Sequence, residues 1–187
     1  MAKTFRKSHS STVNLVSSVI KQYHKHLADR EIKIDLIDAY DTGGKHAVMH
    51  HGLPANAVVR VISLKDRCMG RGDVEITFDG LTIGHMTEDQ LSALIDHELY
   101  HLEVKRNKDG EVSVDDIGRT EYKLKPHDRE FGWFDAIARR WGRHSGEVMQ
   151  AMSMVKDEAF RELYLTDRDK QPPVDETKTV DTNTNEA

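Results

Sequence analysis

An α+β fold, in which a small β-sheet packs against helices, is what three features of this 187-residue sequence call for. Apolar residues recur at three- and four-residue spacing in several segments, as they do on amphipathic helices. Three other segments alternate or are rich in β-branched residues, as half-buried strands are. The composition, 37% hydrophobic and 32% charged with a mean hydropathy of -0.64, is that of a globular chain. A body of about 150 residues removes roughly two-thirds of its unfolded surface from water, so it needs no covalent staples.

The elements follow in order. From Ser10 to Asp29, Val13, Val16, Ile20, Tyr23 and Leu27 make an apolar stripe behind serines able to cap a helix. His24 and His26 lie two apart on it and are read as solvated or packing residues. Ile32–Tyr40 alternates as a strand and ends at the turn signal Asp41-Thr42-Gly43-Gly44. The stretch from Lys45 to Asn56 is irregular, with Gly52 and Pro54 against a long element. Ala57–Leu64 and Asp73–Phe78 are strands, joined by the basic, glycine-bearing connection Lys65–Gly72. Thr87 and Gln90 form a capping box, and Leu91, Leu94, Ile95, Leu99 and Leu102 mark a helix to about Val104. A hairpin is expected around Asp116-Ile117-Gly118. Pro126 stands at a first helical turn, before Phe131, Phe134, Ile137 and Trp141 in helical period. A last helix runs from Ser145 to about Leu165. No internal repeat is evident.

Several classes are excluded. No run of about 18 apolar residues exists to cross a membrane. The basic N-terminus leads into a polar helix and not into the apolar core of a secretory signal. One cysteine, Cys68, allows neither an internal disulfide nor a multi-cysteine zinc site and fits a reducing, cytoplasmic compartment. Beside Arg67 and Gly70 it is read as an ordinary loop or semi-buried thiol. The net charge is -5, but the segment from Asp167 to Ala187 holds six acids and three bases, which accounts for -3 of it. With Pro172-Pro173 and almost nothing apolar, residues 166–187 read as a disordered acidic tail behind a domain of residues 1–165.

The chemistry is concentrated in His97-Glu98-Leu99-Tyr100-His101, an HExxH motif inside the capped helix. At 100° per residue, His97 and His101 stand one turn apart on one face, where two imidazoles offer nitrogens to one ion at about 2.0–2.1 Å. Glu98, next to the first histidine, is badly placed as a ligand but well placed to take a proton from a water on that ion. A catalytic zinc site takes three protein ligands and leaves a fourth position open. His127, after Pro126 and across the expected hairpin, is the preferred third ligand. Glu130 competes, and Asp128, His144 and other histidines stay open. His46, His50 and His51 read as surface residues, with a cleft-lining role as the alternative, and His9 and His85 as surface. Zinc follows from ligand type, with iron, nickel and cobalt as alternatives.

At these residues the chain resembles the SprT-like branch of zincin metallopeptidases, most closely the short metallopeptidases encoded by bacteriophages and prophages. The resemblance covers about residues 10–145 and is specific at His97-Glu98-x-x-His101 and His127-x-x-x-Phe131. It implies a compact zincin-like domain, zinc on His97, His101 and His127, Glu98 as general base, and a protein or peptide substrate. For a phage-encoded member it implies the host cytoplasm. SprT-like proteins include proteases acting on DNA-attached proteins. Lys123, Lys125, Arg129, Arg139, Arg140 and Arg143, with Trp133 and Trp141, therefore raise nucleic-acid contact as a partner reading. Glu121, Asp128, Glu130 and Asp135 interleave with these bases, so a solvated mixed-charge surface is preferred. A catalytically silent zinc-binding interaction module is the other alternative. Tyr122 and His144 are weak candidates for the oxyanion stabiliser.

Overall fold

A computed structural model describes residues 2–127 and 134–155. They fall into two compact units, divided between His127 and Asp128. The first contains, in order, β1 (Lys3–Lys7), α1 (Ser10–Tyr23), α2 (Lys25–Ala28), β2 (Ile34–Asp41), β3 (Met49–His50), β4 (Leu53–Pro54), β5 (Ala57–Val61), α3 (Leu64–Cys68), β6 (Val74–Asp79), α4 (Gly80–Ile83), α5 (Glu88–Tyr100), β7 (Leu102–Val104) and β8 (Tyr122–Leu124). The second contains α6 (Asp135–Trp141), a 3-10 turn (Gly142–His144) and α7 (Gly146–Val155). In it the Ser145 hydroxyl accepts the Val148 N–H at 3.2 Å and so caps α7. The expected domain end at residue 165 and the tail 166–187 lie outside the described residues, as do Asp128, Arg129, Glu130, Phe131 and Trp133.

The main sheet has strand order β1-β2-β6-β5. β2 and β6 run parallel, and the outer pairs are antiparallel. Residues of period two on β6 (Val74, Ile76 and Phe78, all fully buried) meet Val16, Val19 and Leu27 from the first helices and Ile95 and Leu99 from α5. The sheet thus packs on helices as its patterning requires. β1 was not foreseen: its five residues are all exposed and pair only with β2, so they carry no apolar alternation to read. Its lysines suit an edge strand, where they discourage pairing with another chain.

Two elements differ from expectation through local hydrogen bonding. In the Lys65–Gly72 connection, the Ser63 hydroxyl accepts the Asp66 N–H at 3.3 Å and nucleates α3. Arg67, expected in a basic loop, is buried, whereas Cys68 is exposed. The Arg67 guanidinium donates to Asp73 (2.6 Å) and to the Thr120 carbonyl (2.9 Å) and forms an ion pair with Asp115 (2.8 Å). It thereby ties the long insertion after α5 to the sheet.

That insertion is a double turn. The Asn107 side-chain oxygen accepts the N–H groups of Asp109 and Glu111 at 3.0 and 2.9 Å. Eight residues on, Asp115 does the same for Ile117 and Arg119, at 3.1 and 2.9 Å. Gly110 (φ 82°) and Gly118 (φ 77°) supply the left-handed step each turn needs. Lys105, Ser113 and Glu121 close the structure through three backbone bonds of 2.9 Å. Sequence patterning gives no sign of this repetition because only an Asx residue and a glycine recur.

The irregular stretch before β5 is held by Asp79, which is fully buried and accepts from the N–H groups of Ala47 (2.7 Å), Val48 (3.3 Å) and Thr82 (3.0 Å) and from the Thr82 hydroxyl (2.8 Å). Burial alone would raise its pKa, but these donors outweigh burial and hold the carboxyl below its usual value. A depressed folded pKa contributes stability above the unfolded value, near 4, and that contribution is lost as pH falls through the folded value. Asp79→Asn, which turns a donor toward these donors, is expected to cost about 1–3 kcal/mol at pH 7. Urea unfolding should show the gap from wild type narrowing below about pH 4.

Candidate metal centre

α5 begins as expected: the Thr87 hydroxyl accepts the Gln90 N–H and the Gln90 side chain accepts the Thr87 N–H, at 3.3 and 2.9 Å. It ends one turn earlier than expected. His101 is its C-cap and Leu102–Val104 is strand β7, paired with β8. The reason is in the pairing: the Lys125 N–H donates to the His101 carbonyl at 2.7 Å, and Leu102 stands opposite Leu124. The helix is thus replaced by a hairpin at the point where the second histidine must meet the returning chain.

The hairpin delivers His127 to the helix. Ligand nitrogens of His97, His101 and His127 all lie within 4.8 Å of one another. The Nε2 atoms of His97 and His127 are 3.1 Å apart, and ring centroids are separated by 4.6–5.1 Å. Two nitrogens bound at 2.0–2.1 Å to one tetrahedral ion stand about 3.3 Å apart, so the three side chains fit a metal without rearrangement of the backbone. His101 Nδ1 lies 2.7 Å from the Lys125 carbonyl oxygen. A carbonyl only accepts, so Nδ1 carries the proton and Nε2 keeps the lone pair a metal needs. The Lys125 ammonium sits 4.2 Å above the Tyr100 ring and fastens the same segment from the other side.

The electrostatics favour the same use. Partial burial, then the nearby His101 and His127, hold His97 below the ordinary imidazole pKa, the direction that favours the neutral form a metal needs. Glu98 is buried, and burial pushes its carboxyl above the usual range against the opposing pull of His101 and of the Val59 N–H it accepts. The Val59 N–H and the Lys125 carbonyl are the parts of the site that side-chain motifs do not show, since main-chain groups leave no trace in residue type.

No other sequence candidate among the described residues joins this cluster. Among the described residues the metal-competent cluster has three members, and His144 stands beside Arg143 in the second unit. Glu130 and Asp128 lie outside the described residues. Tyr122 is buried in the core, which pushes its hydroxyl up to about 12. Of the bases considered for nucleic-acid contact, Lys123 pairs with Glu103 at 2.9 Å. Of the two readings of His24, solvated or packing, its burial fits the second, and its ring bonds Asp96. No helix among the described residues is long and apolar enough to cross a membrane.

Two histidines four apart on a helix, a buried glutamate beside the first, and a third histidine on the returning chain define a metallopeptidase of the zincin kind on an α+β scaffold. The chain belongs to the family described as "Putative phage metallopeptidase", whose model matches residues 6–157. No curated protein and no solved structure matches the chain.

Proposed function

We propose that this protein hydrolyses peptide bonds with zinc held by His97, His101 and His127 and with Glu98 moving the proton. The convergence of exactly those three imidazoles on one point is the observation that carries the reading. Three neutral imidazole ligands suit zinc among first-row metals, and a three-ligand count leaves a coordination position for substrate or water. When bound, zinc supplies Lewis acidity, which makes water acidic enough to ionise near neutral pH and polarises the scissile carbonyl.

The chain's own residues do the rest. Glu98 takes the proton of the attacking water on its carboxylate, and the carboxyl so formed returns it to the leaving amine nitrogen. Burial suits it to both tasks, because a carboxyl with a raised pKa holds a proton long enough to deliver it. The Val59 N–H fixes the carboxylate against β5, and the Lys125 carbonyl fixes the His101 ring. Family membership supports a protein or peptide as substrate. The single exposed cysteine supports a reducing compartment such as a host cytoplasm.

The test is removal and return of the metal. Cleavage of an unstructured protein substrate, followed by mass spectrometry, is expected to stop after chelation and to recover with one equivalent of zinc. Undiminished cleavage by protein shown to be metal-free would refute the assignment.

A further inference from the structure

His24 and His26 hold the residues that flank the HExxH segment on both sides. α1 stops at Tyr23 and α2 starts at Lys25, so His24 occupies the joint with a non-helical backbone (φ -118°, ψ 55°). From there its buried ring donates from Nε2 to Asp96 Oδ1 at 2.6 Å. His26 donates from Nε2 to the Leu102 carbonyl at 3.3 Å, and the two rings meet edge to face, 5.9 Å between centroids. Asp96 immediately precedes His97, and Leu102 immediately follows His101.

Successive side chains on a helix point about 100° apart. Around α5, Asp96 is held by His24, His97 faces the imidazole cluster, Glu98 is held by the Val59 N–H, and Leu99 is fully buried in the core. The two polar contacts therefore stand on either side of His97 and resist rotation of the helix about its axis. Such rotation matters: an imidazole nitrogen roughly 6 Å from the axis moves about 2 Å when the helix turns by roughly 20°. Metal–ligand distances tolerate only about 0.2 Å. A leucine at position 24 would fill the space without desolvating an imidazole, but it has no direction and fixes no rotation.

We infer that His24 is a positioning residue for the metal centre, setting the rotation of α5 through Asp96, with the His26–Leu102 contact as its counterpart. The inference rests on the reading of the three histidines as a metal site.

The experiment measures zinc affinity of the full chain by competition with a chromophoric chelator, the visible spectrum of the cobalt-loaded protein, and thermal unfolding without metal. His24→Leu is expected to weaken zinc binding about 10–100-fold, the range for lost outer-shell partners, and to alter the cobalt spectrum. His24→Gln, whose amide still donates, should recover at least tenfold of that loss. Val19→Ala, a core change on α1, should lower the melting temperature while leaving affinity within about twofold. Asp96→Ala removes the acceptor from a half-exposed position and should reproduce the loss if His24→Leu does not fold. Wild-type affinity in either His24→Leu or Asp96→Ala would overturn the inference, and so would an equal loss in Val19→Ala. Failure of the wild type itself to bind zinc would instead bring down the metal-site reading on which it stands.

Discussion

Glu98→Gln is expected to keep its metal and to lose peptide hydrolysis by about 10²–10⁴-fold, the usual worth of a positioned general acid–base group. The proposed ligands His97, His101 and His127 are untouched by the change, and glutamine preserves the volume of a buried side chain. Its amide oxygen still accepts the Val59 N–H, so the fold of the site is kept while proton transfer is lost. Equal zinc content with normal thermal stability, measured beside the rate, separates this from unfolding. The wild-type pH profile should carry the same signature. Because burial raises the Glu98 carboxyl and the base works only when ionised, the acid limb of kcat/KM should fall above the pH of an ordinary glutamate. A rate in Glu98→Gln equal to that of wild type would remove Glu98 from the mechanism.

His127→Ala should release the metal, with affinity falling by more than the roughly 10–100-fold that outer-shell substitutions cost. The loss is specific in location. His97 and His101 share one helix and converge because of their spacing, whereas His127 reaches them only through the double turn and β8. Two imidazoles remain in the variant, too few for a stable site. Glu130→Ala provides the comparison, since Glu130 is the competing third ligand in the sequence; it should keep stoichiometric zinc. Metal analysis of both purified variants by mass spectrometry decides between them. Zinc retained in His127→Ala and lost in Glu130→Ala would reassign the ligand.

Much of the centre was legible because helical spacing is a rigid ruler. His97, Glu98 and His101 could be placed on adjacent faces from the 3.6-residue period alone, and the capping box fixed where the helix began. His127 was legible only as the histidine best placed after the expected hairpin. Its approach depends on two Asx-capped turns and on the buried Arg67–Asp73–Asp115 network, in which charged residues look like ordinary surface. The same blindness explains His24: its burial follows from the joint between α1 and α2, which the continuous apolar stripe conceals. The early end of α5 was hidden too, since Leu102 continues the helical period while pairing as a strand. Side-chain patterns record faces well, but they do not record which backbone groups a returning chain will offer.

X-ray absorption at the zinc edge, on the full-length protein loaded with one equivalent, tests the central claim most directly. Three imidazole nitrogens at about 2.0–2.1 Å and one further light atom not supplied by histidine are the expected shell. A closed shell of four protein ligands, a sulfur at about 2.3 Å from Cys68, or fewer than three imidazoles would contradict a hydrolytic three-histidine centre.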